Sequence, residues 1–292
     1  MAEKTYFLRD AKDLNLQFYN SYDEAFLYRK AETLMLLVDD VEEYKSALLG
    51  ADSKDFDQKK FVETLNAEIH FTEFHQFEAF FAVLIAIFQD LPHWLYLTTY
   101  TSREIKEKVN AFLDRDLKIV SNGLVDNSND FINSAVYAGF ISDNEGIVQK
   151  WQENIDNIFW FITRLARKYI EGTEYNAYKH GLRVITGPTF IKFSPTGQPD
   201  KGFQYSSDHS IRFLELDEIE KDRFQVKETF KHFNPVESIN HLYFMYGVLE
   251  TIKSVRMARI KGETKANLNS FSTLDKDSLN KMRVVTKWSM TL

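Results

Sequence analysis

Apolar residues recur first at helical spacing and later at strand spacing, with the change near residue 182. Phe26, Leu34, Leu37, Val41, Tyr44 and Leu48 follow one another at intervals of three, four and eight, which places them on one buried helical stripe. Ser21 and Glu24 form the Ser-x-x-Glu pattern of a capping box, so a helix is predicted from there to about Leu49, with Gly50 as its stop. Asp57 is expected to cap a long helix to about Gln89, where Pro92 forbids much continuation. At about 1.5 Å per residue that helix spans roughly 50 Å. Its second half, Phe71 to Phe88, is apolar on most sides, as in the central helix of a bundle.

Thr101 and Glu104 make a second capping box and open a helix to about Leu113. The stretch Ser121 to Asp130 reads as loop from its composition, and Phe131 to Phe140 as a shorter helix. A third capping box, Ser142 and Glu145, begins a helix carrying Trp151, Ile155, Ile158, Phe159, Ile162, Leu165 and Tyr169, which ends near Gly172. Thr173 and Glu174 restart a short helical turn that stops at Gly181.

Strands are predicted at Leu182 to Thr186 and Thr189 to Phe193, around Gly187-Pro188. Phe203 to Tyr205 and Ile211 to Leu216 flank a Ser206-Ser207-Asp208 turn, and Phe224 to Phe230 is a further strand. Asn234-Pro235 is a strong helix start, and that helix runs to about Lys261 with Gly262 beyond. A short helix at Ser278 to Met282 and a strand ending in Trp288 are expected in the tail. The fold class is therefore mainly α: a helical bundle with a small antiparallel β-meander of three to five strands before the last long helix. One compact domain is expected over residues 1–292. It comprises the bundle at 13–181, the meander at 182–233, and the final helix with its tail at 234–292.

Composition narrows this picture. The 292 residues include 25 Phe and no cysteine, with 44% apolar and 15% aromatic residues, which describes a well-folded chain with a sizeable core. Without cysteine there is no disulfide scaffold, thiolate zinc site or cysteine nucleophile. A net charge of −7 argues against a wholly basic nucleic-acid-binding surface and leaves room for a local patch. The N-terminal Met1 to Tyr6 carries no apolar signal core. The longest apolar run, Phe77 to Phe88, is interrupted by Glu78 and falls short of the roughly 20 residues that a membrane span needs. A cytoplasmic protein without a membrane segment is expected.

Several constellations could carry chemistry. His70, Glu73, His75 and Glu78 lie on the apolar central helix. A di-iron bundle site needs Glu-x-x-His on two helices. Here the order is His-x-x-Glu and no second helix supplies the matching half, so no metal and no cofactor is expected. There is no Gly-x-Ser-x-Gly, Walker A loop or Gly-x-Gly-x-x-Gly, which removes the usual signatures of serine hydrolases and nucleotide binders. Lys253, Arg256, Arg259 and Lys261 end the last helix. They complement its macrodipole, and they are also the one basic cluster suited to nucleic-acid phosphates.

The sequence Tyr175-Asn176-Ala177-Tyr178-Lys179-His180-Gly181-Leu182-Arg183 closes the helical half. Asn176 and His180 are four apart and share a helical face. A histidine at a helix end can act as acid or base near neutral pH, and a cation such as Lys179 or Arg183 can stabilise a phosphorane-like transition state. Metal-free RNA cleavage needs those elements, because the RNA 2′-hydroxyl supplies the nucleophile. In the plainer account Asn176 and His180 bond backbone groups where helix meets strand, and Gly181 is a helix stop.

The Asn176-x-x-x-His180-Gly181 stretch, late in a helical region spanning about 57–183, resembles the HEPN superfamily. The resemblance implies a compact, often dimeric helical bundle. It also implies a metal-independent ribonuclease of the kind found in toxin–antitoxin, anti-phage or RNA-processing systems. In that family an Arg precedes the polar residue; Tyr175 stands at its position here. On this reading His180 is the acid/base, Asn176 orients it, Lys179 or Arg183 stabilises the phosphate, RNA is the substrate, and the protein is a homodimer. The alternative is a non-enzymatic interaction or regulatory protein with a protein partner, in which the Asn176–His180 pair is structural.

Overall fold

The computed structural model describes residues 11–48, 56–139, 145–179, 184–193, 202–220, 223–263, 266–269 and 271. Its helices are α1 (Ala11–Ser21), α2 (Phe26–Asp39), α3 (Val41–Leu48), α4 (Gln58–Ala86), α5 (His93–Thr99), α6 (Ser102–Leu113), α7 (Leu117–Val120), α8 (Ser128–Tyr137), α9 (Glu145–Glu171) and α10 (Thr173–Lys179). Three strands follow, β1 (Val184–Phe193), β2 (Phe203–Glu220) and β3 (Arg223–His232), and then α11 (Pro235–Lys261). The fold is mainly α with one small antiparallel sheet before the last long helix. Among the described residues no helix is long and apolar enough to cross a membrane.

Local signals place several elements correctly. Asp57 accepts from the Lys60 N–H at 3.1 Å and α4 follows. Thr101 and Glu104 form a reciprocal capping box on α6. Asn234 accepts from the N–H groups of Val236 and Glu237, which opens α11 at Pro235. Gly262, at φ +73°, stands in the left-handed conformation that ends that helix.

Other elements depart from expectation. The single helix predicted from Ser21 to Leu49 is divided: Ser21 ends α1, and α2 and α3 meet at Asp40. Asp23 accepts from the Ala25 N–H at 3.3 Å and so takes the role expected of Ser21. Asp39 and Asp40, poor interior residues that favour caps, mark the second break. Helix α5 begins directly after Pro92, its first residue held by a 2.8 Å bond from the His93 N–H to Asn15 Oδ1. Helix α8 starts within the predicted loop because Asn127 caps it through the Asp130 N–H. The Ser206-Ser207-Asp208 segment is not a turn but part of the continuous strand β2; the Ser207 hydroxyl pairs with Nδ1 of His232 on β3. Gly187-Pro188 bulges a single strand instead of separating two. Gly50, Phe140, Ser142, Gly181 and the predicted tail elements lie outside the described residues.

The chain divides into two compact units. The first takes Met1–Leu27, His75–Glu171 and His241–Lys276. Within it α6 packs on α7 and α9, α8 packs on α9, and α1 packs on α5. Phe112 lies at an aromatic centre, 5.5 Å from the ring of Phe131 and 5.1 Å from that of Phe159.

The second unit takes Tyr28–Phe74, Gly172–Asn240 and Asp277–Leu292. Its sheet has the order β1-β2-β3, with Val184 opposite Phe213 and Ile211 opposite Lys231. Ile211, Phe213, Thr229 and Lys231 are buried, whereas Ile185, Arg212 and Leu214 are exposed. The sheet thus has an inner and an outer face. Gly172 lets the chain pass the buried Phe74 ring, because a side chain there would run into that ring.

In the first unit the Tyr19 hydroxyl is 2.6 Å from Nδ1 of buried His93. Burial, assisted by the Arg256 charge, pulls His93 down to about 3, so the folded imidazole is neutral and shares one hydrogen bond with the Tyr19 hydroxyl. The unfolded chain takes up this proton below the ordinary imidazole value. His93 therefore lowers stability as pH falls from about 6.5 toward 3, by up to about 1.4 kcal/mol per pH unit. Urea unfolding at pH 7, 6 and 5 should show this slope in the wild type and a flatter one in His93→Gln.

Candidate functional site

Helix α10 carries Asn176 and Lys179, two of the residues singled out in the sequence. Glu174 and Tyr175 are buried, Tyr178 is half-buried, and Asn176 and Lys179 are exposed. Tyr175 stacks on Phe74 of α4 with centroids 5.4 Å apart, and Tyr178 stacks on Phe71 at 3.8 Å. The Tyr178 hydroxyl donates to Glu68 at 2.8 Å. Burial and Glu68 push this phenol up to about 12, so it stays a donor. The Lys179 ammonium lies 4.4 Å from the centre of the Tyr175 ring. Tyr175 is therefore a core residue against α4. His180 and Arg183 lie outside the described residues.

Beneath α10 lies a cluster of buried charge. His70 of α4 is 3% exposed, and its ring stacks on Phe233 at 4.7 Å. Its Nδ1 is 3.6 Å from Glu73 Oε2, and its Nε2 is 3.6 Å from Glu174 Oε1. Glu174 also receives the ammonium of Lys231 from β3. Glu73 accepts from the Ser238 hydroxyl of α11 at 2.7 Å. All five side chains are buried. Burial pushes the Glu174 carboxyl up, but His70 and Lys231 outweigh it and hold the group below the usual carboxylate range.

Spacing along the sequence singles out His70 and Glu73 but not Glu174, Lys231 or Ser238. Lys231 leaves no signal of its own, because alternation along β3 groups it with Gln225, Lys227 and Thr229, opposite Phe224, Val226 and Phe230. The other two central-helix residues belong to the first unit, where Glu78 accepts from Ser102. Among the described residues no three His, Asp or Glu side chains are placed to hold a metal ion.

The cations of α11 have particular partners. Lys253 donates to the Tyr22 carbonyl at 2.8 Å and pairs with Glu24 at 2.7 Å. Arg256 donates to the Ser134 carbonyl at 2.7 Å, and Arg259 to that of Ala138. Those carbonyls belong to the C-terminal end of α8, where helix acceptors lack intrahelical partners. The two arginines therefore cap a neighbouring helix as well as ending their own. Lys261 is exposed.

No protein-family model, curated protein or solved structure matches the chain.

Glu174 has its lowered value only in the fold, so its contribution is present above the ordinary carboxylate value and is lost as pH falls through the folded value. Lys231→Met removes the ammonium and strands the carboxylate. It should destabilise the protein by about 3–5 kcal/mol and move the acid-unfolding midpoint to higher pH, as read by circular dichroism. The double variant with Glu174→Gln should recover part of the loss.

Proposed function

We propose that the chain is a non-enzymatic interaction protein of the cytoplasm that self-associates through the outer face of its sheet. The observation that carries this reading is a set of large apolar side chains left in water: Ile185 is 57% exposed, Phe190 62% and Leu214 66%. Ile185, Phe190 and Phe230 line one groove together with Arg212, and Leu214 follows Arg212 on the same face of β2. Grouped apolar exposure of this kind marks contact surfaces.

A second copy suits the surface because the patch carries its own opposite charges. Arg212 and Glu228 lie 3.4 Å apart and both are partly exposed. A twofold contact brings each patch against itself, so each Arg212 would find a carboxylate on either side. The residue types that suggested chemistry are, where described, largely committed to internal pairs, which also favours a binding role over an enzymatic one.

RNA binding or metal-independent cleavage is the second reading. It rests on Asn176 and Lys179, the two α10 side chains that face solvent next to His180.

Sedimentation velocity over a concentration series distinguishes the two. The wild type should be dimeric, and Leu214→Asp with Phe190→Asp should be monomeric and folded, with neither species cutting RNA in EDTA. A wild type that is monomeric throughout would remove the self-association reading. RNA cleavage in EDTA that disappears in His180→Ala would put the ribonuclease reading in its place.

A further inference from the structure

In the first unit the chain beyond α11 turns back along that helix and is held there by its main chain. The Asn267 N–H donates to the Ser254 hydroxyl at 2.8 Å, and the Asn269 N–H to the Thr251 hydroxyl at 3.2 Å. The Phe271 N–H donates to Oδ1 of Asn154 on α9, and the Phe271 carbonyl accepts from Nδ2 of Asn157 at 2.8 Å. Every second residue of an extended chain advances by about 6.6 Å. Residues three or four apart on a helix share a face and are about 4.5–6 Å apart along its axis. Thr251 and Ser254 on α11, and Asn154 and Asn157 on α9, thus present polar groups at a spacing suited to alternate residues of an extended peptide.

Two side chains of the segment are engaged as well. Asn269 donates to the Gly247 carbonyl at 2.9 Å and to Glu250 at 2.8 Å. Phe271 is buried, with its ring 5.1 Å from that of Phe244 and beside Gly247. Between the anchored N–H groups, Leu268 is 45% exposed. The groove therefore reads main-chain atoms, which any extended peptide offers, together with one amide and one aromatic ring.

We propose that the groove between α9 and α11 is a recognition site for an extended peptide of the pattern Asn-x-Phe. The chain's own segment at Asn267, Asn269 and Phe271 is its internal ligand, and a partner protein binds by displacing it with a segment of the same pattern. Such a segment meets the hydrogen bonds that the internal one makes, so the exchange costs the groove none of them. The internal segment lies on the helices with Asn267 and Leu268 in solvent, and a stretch attached in this way can open without unfolding what lies beneath it. The proposal does not rest on the self-association reading, whose surface belongs to the second unit.

The test uses the full chain and a fluorescein-labelled peptide with the sequence of residues 265–273, followed by anisotropy. Asn269→Ala with Phe271→Asp empties the groove of its internal ligand. The peptide should bind this variant at least about tenfold more tightly than the wild type, where the tethered segment competes at a millimolar effective concentration. Adding Asn157→Ala should abolish that gain, and a peptide carrying Phe271→Asp should bind neither chain. A folded variant that leaves the peptide unbound at about 1 mM would overturn the proposal, and so would equal affinity for variant and wild type. The wild type supplies a reading that needs no variant to fold: the Asn269 and Phe271 amides should exchange with solvent well before those of α9 and α11. Exchange of all of them together would mean that the segment opens only when the unit unfolds, which rules out displacement. Sedimentation velocity separates the remaining occupant. A dimer that is lost in Phe271→Asp and kept in Leu214→Asp with Phe190→Asp would give the groove to a second copy's segment and overturn the assignment of an internal ligand.

Discussion

The Glu174 carboxylate is buried in the core of the second unit, and that burial is tolerable only because a ring from α4 and an ammonium from β3 reach it. An isolated carboxylate there would be driven to protonate or to leave. Three elements distant in sequence must therefore arrive together, and no part of this arrangement is available locally. Helix α10 is too short to be stable alone, so its place depends on what Glu174, Tyr175 and Tyr178 find beneath it. Because those three side chains turn inward, Asn176 and Lys179 turn outward. The exposed polar edge of α10 is thus a consequence of the buried cluster.

The readability of each element follows from the range of the interaction that forms it. Capping boxes, an Asn-Pro start and a glycine stop act within a few residues, and α4, α6 and α11 begin or end where such signals lie. Elements held by distant partners are not legible in this way. Helix α5 depends on a side chain of α1, through Asn15. The run of small polar residues in β2 reads as a turn until His232 on the neighbouring strand is there to receive Ser207. Asn127 reads as loop composition although it is a cap, because the same residue types serve both purposes.

The candidate site divides along the same line. A histidine and a glutamate on an apolar helix stand out by contrast, so His70 and Glu73 are visible in the sequence. Glu174 looks like an ordinary acidic residue in a first helical turn, and Lys231 like a strand residue facing water. The cations of α11 show the opposite limitation. Their grouping in sequence is real, yet Arg256 and Arg259 point to the carbonyls at the end of α8. Proximity along a helix says nothing about which orphan acceptors lie across from it.

Buried ion pairs are weak contributors to stability when compared with apolar residues of similar size, so the cluster calls for another physical role. Strand register supplies one. In β3, Lys231 faces inward to Glu174 while its neighbour Phe230 lines the outer groove. A slip of one residue would exchange the two faces: the ammonium would go to solvent, and Phe230 would meet a bare carboxylate. An apolar residue at position 231 would make both registers acceptable to the core. The charge that makes this core costly to assemble is then also what determines which face of the sheet presents Ile185, Leu214 and Phe230 on the outside. The outer apolar face and the buried cluster become two sides of one constraint on β3.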